Sequence, residues 1–229
     1  MNIVEASFFE KDDVAQIHAA GSKIVGYLSL IEIGYWDTPL VNDLYEGDYL
    51  RGALNEKLKS LNEKNYLADL SSPHYREVLF KYIETRILDK GMDGLFFDTV
   101  DWIDYYADNK RLYNALTSGY HTLLDELRER YPGITVIQNR GFDSYESFSH
   151  EFIDGILFEN FKSPYLLQDE KKITALKRFR KSARKQKTEV YAISFENEAE
   201  NRKLAESFHW NFMYSQMDDR YSQWDIQIR

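Results

Sequence analysis

Two carboxylates in the chain directly follow short apolar runs: Asp98 after Leu95-Phe96-Phe97, and Glu159 after Ile156-Leu157-Phe158. Apolar surroundings raise a carboxyl pKa, and a second carboxylate nearby drives the two values apart. One group then stays protonated as an acid while its partner stays ionised, which is the pair that glycoside hydrolysis uses. The competing reading is that either acid merely caps a turn. A carboxyl separation of about 5–5.5 Å goes with retention at the anomeric carbon, about 6.5–9.5 Å with inversion, and a much larger gap with binding alone.

Other polar residues stand in similar places. Tyr27-Leu28 leads through Ser29-Leu30-Ile31 into Glu32, Tyr66-Leu67-Ala68 into Asp69, and Val136-Ile137-Gln138 into Asn139. Asp69, followed by Leu70-Ser71-Ser72, serves equally well as a turn or capping residue. Asp101 is either a cleft carboxylate or the cap of the short segment Trp102-Ile103-Asp104. The aromatics Tyr27, Tyr35, Trp36, Trp102 and Tyr214 lie at or just beyond strand ends. Aromatic faces there stack on the apolar faces of sugars, although such side chains also fill cores.

Eight apolar runs have to position these groups: 3–7, 23–28, 66–68, 94–97, 135–138, 155–158, 190–193 and 212–214. Most are apolar throughout rather than alternating, as in parallel strands covered on both faces. Amphipathic stretches separate them. Ser72-Pro73 opens one, with Leu79, Ile83 and Ile87 on a common face and Gly91 at its end. Leu112, Leu116, Leu123 and Leu127 mark the next, Ile173, Leu176, Phe179 and Ala183 a third, and Ala199, Leu204, Ala205 and Phe208 a fourth. This alternation predicts an α/β (β/α)₈ barrel forming a single domain over residues 1–229, with the last helix reduced or missing. The segment Pro39–Lys64 is long and only partly helical, and the connection Phe142–Ile153 is short. No Gly-x-Gly-x-x-Gly follows the first run, so a dinucleotide-binding open sheet is not expected. In a barrel the reactive groups collect at the C-terminal ends of the strands, where the polar residues above stand.

Composition narrows the chemistry. The 229 residues include no cysteine, which removes thiolate metal sites and a cysteine nucleophile. A net charge of -9 argues against a nucleic-acid partner and favours a neutral or cationic ligand. The five histidines are scattered without ligand spacing, so neither a metal nor another cofactor is expected. No serine sits in a Gly-x-Ser-x-Gly elbow. The basic stretch Lys171–Lys187 reads as an outer helix with a solvated face. No apolar run is long enough for a membrane span, and Met1-Asn2-Ile3-Val4-Glu5 does not begin a secretory signal, so a cytoplasmic location stays open. Oligomeric state is not legible.

At these residues the sequence resembles glycoside hydrolase family 114, the endo-α-1,4-polygalactosaminidase-like barrels. The matching pieces are Gly26-Tyr27-Leu28-Ser29-Leu30-Ile31-Glu32 with Tyr35-Trp36, then Asp69-Leu70-Ser71-Ser72-Pro73. They continue with Lys90-Gly91-Met92-Asp93-Gly94-Leu95-Phe96-Phe97-Asp98-Thr99-Val100-Asp101, Asn139-Arg140-Gly141 and Gly155-Ile156-Leu157-Phe158-Glu159. Ile31 departs from the pattern, standing where many relatives have glycine.

The resemblance implies cleavage of an α-1,4-linked galactosamine-containing exopolysaccharide outside the cell, with Asp98 and Glu159 as the catalytic pair. Analogy with other α-glycosidase barrels makes Asp98 the nucleophile and Glu159 the acid/base, in a retaining, endo-acting enzyme. Tyr27, Glu32, Trp36, Asp69, Asp101, Trp102, Asn139 and Tyr214 are the expected substrate-binding residues. Free amino groups of the polymer would be drawn to Glu32, Asp69 and Asp101. The alternative is a barrel that binds polysaccharide without cutting it.

Overall fold

The computed structural model describes residues 1–34, 38–61 and 63–215. Tyr35, Trp36 and the chain end, where the last helix is expected to be reduced or missing, lie outside the described residues. The chain divides into two compact units, Met1–Ile153 and Asp154–Arg229.

The first unit holds strands β1 (Asn2–Val4), β2 (Ile24–Ser29), β3 (Glu32–Ile33), β4 (Tyr66–Leu67), β5 (Gly94–Asp98) and β6 (Thr135–Asn139). β1, β2, β5 and β6 pair in that order, all parallel. Ile24, Val25, Leu95, Phe97 and Val136 are wholly buried, which is why these strands are apolar on both faces. Helices cross between parallel neighbours: Lys11–Ala19 joins β1 to β2, and Lys110–Arg130 joins β5 to β6. The long helix buries Leu112, Leu116, Leu123 and Leu127 as its periodicity predicts, together with Tyr120 and Leu124. Asn109 caps it by accepting the Leu112 N–H, and Arg128 and Arg130 sit in its last turn, where cations favour the dipole.

Two expectations change in this unit. The first run is a strand only over Asn2–Val4, because Glu5 accepts the Ser7 N–H and turns Ala6–Phe8 into a 3₁₀ helix. The run at Tyr66–Ala68 does not add a parallel strand. Its Tyr66–Leu67 pairs antiparallel with β3, Glu32 lying opposite Leu67, so β2 pairs directly with β5. Tyr66 is too exposed for a strand covered on both faces, and Lys57 and Lys59 lie over its ring. The long stretch after Pro39 is only partly helical, as expected, and a buried acid helps to order it. Asp48 accepts from Ser72 Oγ, the Tyr45 N–H and His74 Nδ1, each at 2.7 Å.

The second unit carries β7 (Gly155–Phe158), β8 (Glu189–Ser194) and β9 (Asn211–Tyr214), again parallel and in sequence order. Its basic helix, Glu170–Gln186, buries Leu176, Phe179 and Ala183 as expected. In helix Glu198–Ser207, Ala199 faces solvent and Asn201 is buried beside Ala205. Asn201 Nδ2 donates to Ser194 Oγ and the Glu196 carbonyl, and its Oδ1 accepts the Ser163 N–H. No helix among the described residues is long and apolar enough to cross a membrane.

Gly94 shows how tightly β5 and β6 approach. A Cβ at this position would lie 1.9 Å from the backbone carbonyl oxygen of Thr135. Gly94→Ala is expected to cost about 1–3 kcal/mol or more of stability, because the obstacle is backbone in a buried ladder. Urea unfolding checks this, and an unchanged midpoint would contradict the close approach.

Candidate active site

Register decides which side chains meet at the strand ends of the first unit. Ser29 of β2 lies opposite Asp98 of β5, and Tyr27 opposite Phe96. Side chains alternate along a strand, so Tyr27, Ser29, Phe96 and Asp98 share one face. Phe96 lies opposite Ile137, which carries the same face on to Asn139 at the end of β6.

Asp98 is held by three donors. Tyr27 Oη donates to Oδ2 at 2.7 Å, while Asn139 Nδ2 and the Thr99 N–H donate to Oδ1 at 2.8 and 2.7 Å. Tyr27 keeps its proton throughout: burial first, then the charge and hydrogen bond of Asp98, raise the phenol far above its usual range. An ionised carboxylate has about four lone-pair sites, so three donors fix its plane and leave capacity on Oδ2. Asp98 itself stays half-exposed.

Glu32 and Asp101 are steadied by different means. Glu32 Oε1 accepts from the buried Asn65 Nδ2 at 2.5 Å, and its Oε2 from Trp102 Nε1 at 3.2 Å. Trp102 is itself buried against Tyr105 and Tyr106, so its indole orients an acid and packs a core. Asp101 pairs with Arg140 at 3.2 Å. Burial pushes the Asp101 carboxyl up, Arg140 opposes that rise, and Asp98 and Asp104 add to it. Asp69 plays a turn role here, its Oδ1 accepting the N–H and Oγ–H of Ser71.

Thr99 received no role from the sequence, although it adjoins Asp98. Its Oγ1 accepts the backbone N–H groups of Ile31 and Glu32 at 3.0 and 3.2 Å and lies 3.1 Å from Ser29 Oγ. Its φ of +64° is rare for a β-branched residue. Arg140 and Asn65 were also missed as contributors. A buried glutamine adjacent to Asn139 shapes the turn that follows: Gln138 Nε2 donates to the carbonyls of Arg140 and Gly141, while Tyr120 Oη and Ser149 Oγ donate to its Oε1.

In the second unit Glu159 follows β7, half-exposed, with Asn160 at φ +56° and the Phe161 N–H bound to the Ile193 carbonyl. Tyr214 ends β9 opposite Ser194. Asp98, Asn139 and Glu159 are each followed by a residue of positive φ. Such a residue turns the chain sharply and leaves the preceding side chain standing at the strand end.

A profile of the glycoside-hydrolase family GH114 matches residues 2–224. The chain belongs to glycoside-hydrolase family GH114. It is therefore a glycoside hydrolase. Solved structures share its fold. The glycoside hydrolase domain of PelA from Pseudomonas aeruginosa aligns at TM-score 0.68 and 22% identity, over 93% of this chain and 85% of that one. Aspergillus fumigatus Ega3, in complex with galactosamine, aligns at TM-score 0.69 and 15% identity, over 94% and 83%. The α-galactosidase TtGalA from Thermus thermophilus aligns at TM-score 0.58 and 15% identity, over 89% and 45%. No curated protein matches by sequence.

Asp101 supplies a pH test of this candidate site. Its carboxyl is raised above the ordinary 3.8, so between that value and its raised one the folded chain holds more protons than the unfolded chain. Its contribution to stability therefore falls as pH climbs through that window. Urea unfolding from pH 3 to 8 is expected to show wild type losing stability relative to Asp101→Asn as pH rises. A difference moving in the opposite direction would show that Arg140 outweighs burial.

Proposed function

We propose that this chain is a retaining, endo-acting hydrolase of an α-1,4-linked galactosamine-containing polysaccharide outside the cell. Residues 1–229 would act as one catalytic domain of the TIM-barrel type. The observation that carries this reading is Asp98 itself: a half-exposed carboxylate at the end of β5, fixed by Tyr27, Asn139 and Thr99, in a GH114 chain. Galactosamine is the sugar of the Ega3 complex, whose fold this chain shares. The net charge of -9 suits a polymer that carries ammonium groups.

In this mechanism Asp98 Oδ2 attacks the anomeric carbon as Glu159 gives its proton to the departing glycosidic oxygen. The C–O bond to the leaving chain breaks as the bond to Asp98 forms, giving a glycosyl ester. Glu159, now ionised, takes a proton from water, whose oxygen displaces Asp98 and restores both groups. Tyr27 and Asn139 donate to the carboxylate as its charge falls in the first step and returns in the second. Glu32, Asp101, Tyr214 and Trp36 make up the substrate contacts of the proposal, and the buried Trp102 serves it by orienting Glu32 through its indole N–H. Asp69 is assigned to it through amine attraction alone, since Ser71 already occupies one of its oxygens.

Incubation with partially deacetylated α-1,4-galactosamine polymer is expected to release new reducing ends. Asp98→Asn and Glu159→Gln should each lower turnover by at least about 10³-fold while the thermal transition persists. Proton NMR of the first product should show the α-anomer; the β-anomer would replace retention with inversion. Binding without cleavage by wild type would favour the non-hydrolytic alternative.

A further inference from the structure

We infer that Thr99 is a positioning residue whose hydroxyl locks the carboxylate-bearing end of β5 to the turn that presents Glu32. The inference deepens the hydrolase reading above and rests on it.

Four contacts converge on this one residue. Its N–H donates to Asp98 Oδ1 at 2.7 Å, so its backbone orientation helps set the plane of the carboxylate. Its Oγ1 takes the N–H groups of Ile31 and Glu32 and meets Ser29 Oγ. Ser29 Oγ in turn donates to the Glu32 carbonyl at 2.6 Å. With that bond made, the Ser29 proton is committed to Glu32, and the Thr99 hydroxyl proton is the one available between the two oxygens. The turn 29–32 would otherwise leave two backbone N–H groups without these acceptors in a buried place, since Leu30 and Ile31 are fully covered.

Backbone geometry points the same way. A threonine at φ +64° is strained, and strain of this kind persists where surrounding bonds over-determine it. Glycine would adopt the turn freely but would supply no acceptor. Serine would supply the acceptor with less crowding at Cβ. Threonine at this position thus trades backbone comfort for a fixed hydroxyl between two acids, one that reacts and one that faces substrate. Thr99 is given no contact with the sugar; it acts through Asp98 and Glu32.

The test compares Thr99→Val, Thr99→Ser and Thr99→Gly with wild type on the deacetylated polymer, reading kcat, KM and thermal unfolding. Valine keeps the shape and removes the acceptor, so kcat is expected to fall at least tenfold below the melting transition and KM to rise. Serine should recover most of both. Hydrogen exchange at the Ile31 and Glu32 amides should quicken in the valine variant and return toward wild type in the serine variant. A purely structural role would lower the melting temperature of Thr99→Val yet leave kcat and KM of the folded protein unchanged, and that result overturns the inference. Equal loss in the valine and serine variants overturns it as well, because the hydroxyl would then not be the operative group. If Thr99→Val does not fold, Thr99→Gly asks the same question without the backbone strain, and near-native kcat there again refutes it. Wild type that cleaves nothing would remove the hydrolase reading and this one together, whereas an active wild type with an unaffected Thr99→Val removes this one alone.

Discussion

A carboxylate that is to react in the way proposed for Asp98 has to be held in one plane without being neutralised, and the strand ends of the first unit hold Asp98 under that constraint. Its three donors come from three places in the chain: Tyr27 within β2, Asn139 at the end of β6, and the Thr99 N–H after β5. None is a cation. Each is fixed by the parallel ladder, since Tyr27 reaches Asp98 only because Ser29 and Asp98 share a register position. The orientation of the acid is thus inherited from backbone pairing. Gly94, by letting β5 approach Thr135, contributes to the same geometry from four residues away.

Three half-exposed acids then occupy neighbouring sequence positions or contacts, and each is managed by different chemistry. Glu32 is bound by an amide and an indole, both neutral donors. Asp101 has a guanidinium partner, Arg140, and still has its carboxyl raised by burial. Asp98 has neutral donors alone. Neutral donors orient a carboxylate while preserving its field, whereas an ion pair cancels much of that field at short range. A site built to meet ammonium-bearing sugar gains from the first arrangement at Asp98 and Glu32.

Much of this was legible in the sequence because burial on both faces leaves an unmistakable mark. The runs ending at Asp98, Asn139 and Glu159 are parallel strands, and the leucines of Lys110–Arg130 are buried, as are Leu176, Phe179 and Ala183 of Glu170–Gln186, whereas Ile173 at the start of that stripe is only half-buried. The run at Tyr66 misled because three apolar-looking residues do not reveal an antiparallel partner only two residues long. Asp69 matched the family motif but takes up its carboxylate in a local turn, a competition that residue type alone cannot settle. Thr99 was hidden for another reason. Nothing in a threonine announces a positive φ, so its four contacts emerge only once the register is known.

Positive φ after Asp98, Asn139 and Glu159 suggests how one local device recurs at different strands. A left-handed residue stops the strand abruptly, so the side chain before it is left at the rim instead of being buried in a continuing ladder. Asn160 adopts that conformation at little cost, since asparagine tolerates it well. Arg140 is held there by Gln138, which binds the carbonyls of residues 140 and 141 from beneath. Thr99 has no such intrinsic tolerance and is held by its own side chain, through bonds that reach into the turn before Glu32. The position where the strain is greatest is therefore the one whose restraint also carries a second acid. Relieving the strain with glycine and keeping the turn in place are opposed requirements at residue 99, and a hydroxyl on a β-branched side chain satisfies the one on which the geometry of Asp98 and Glu32 depends.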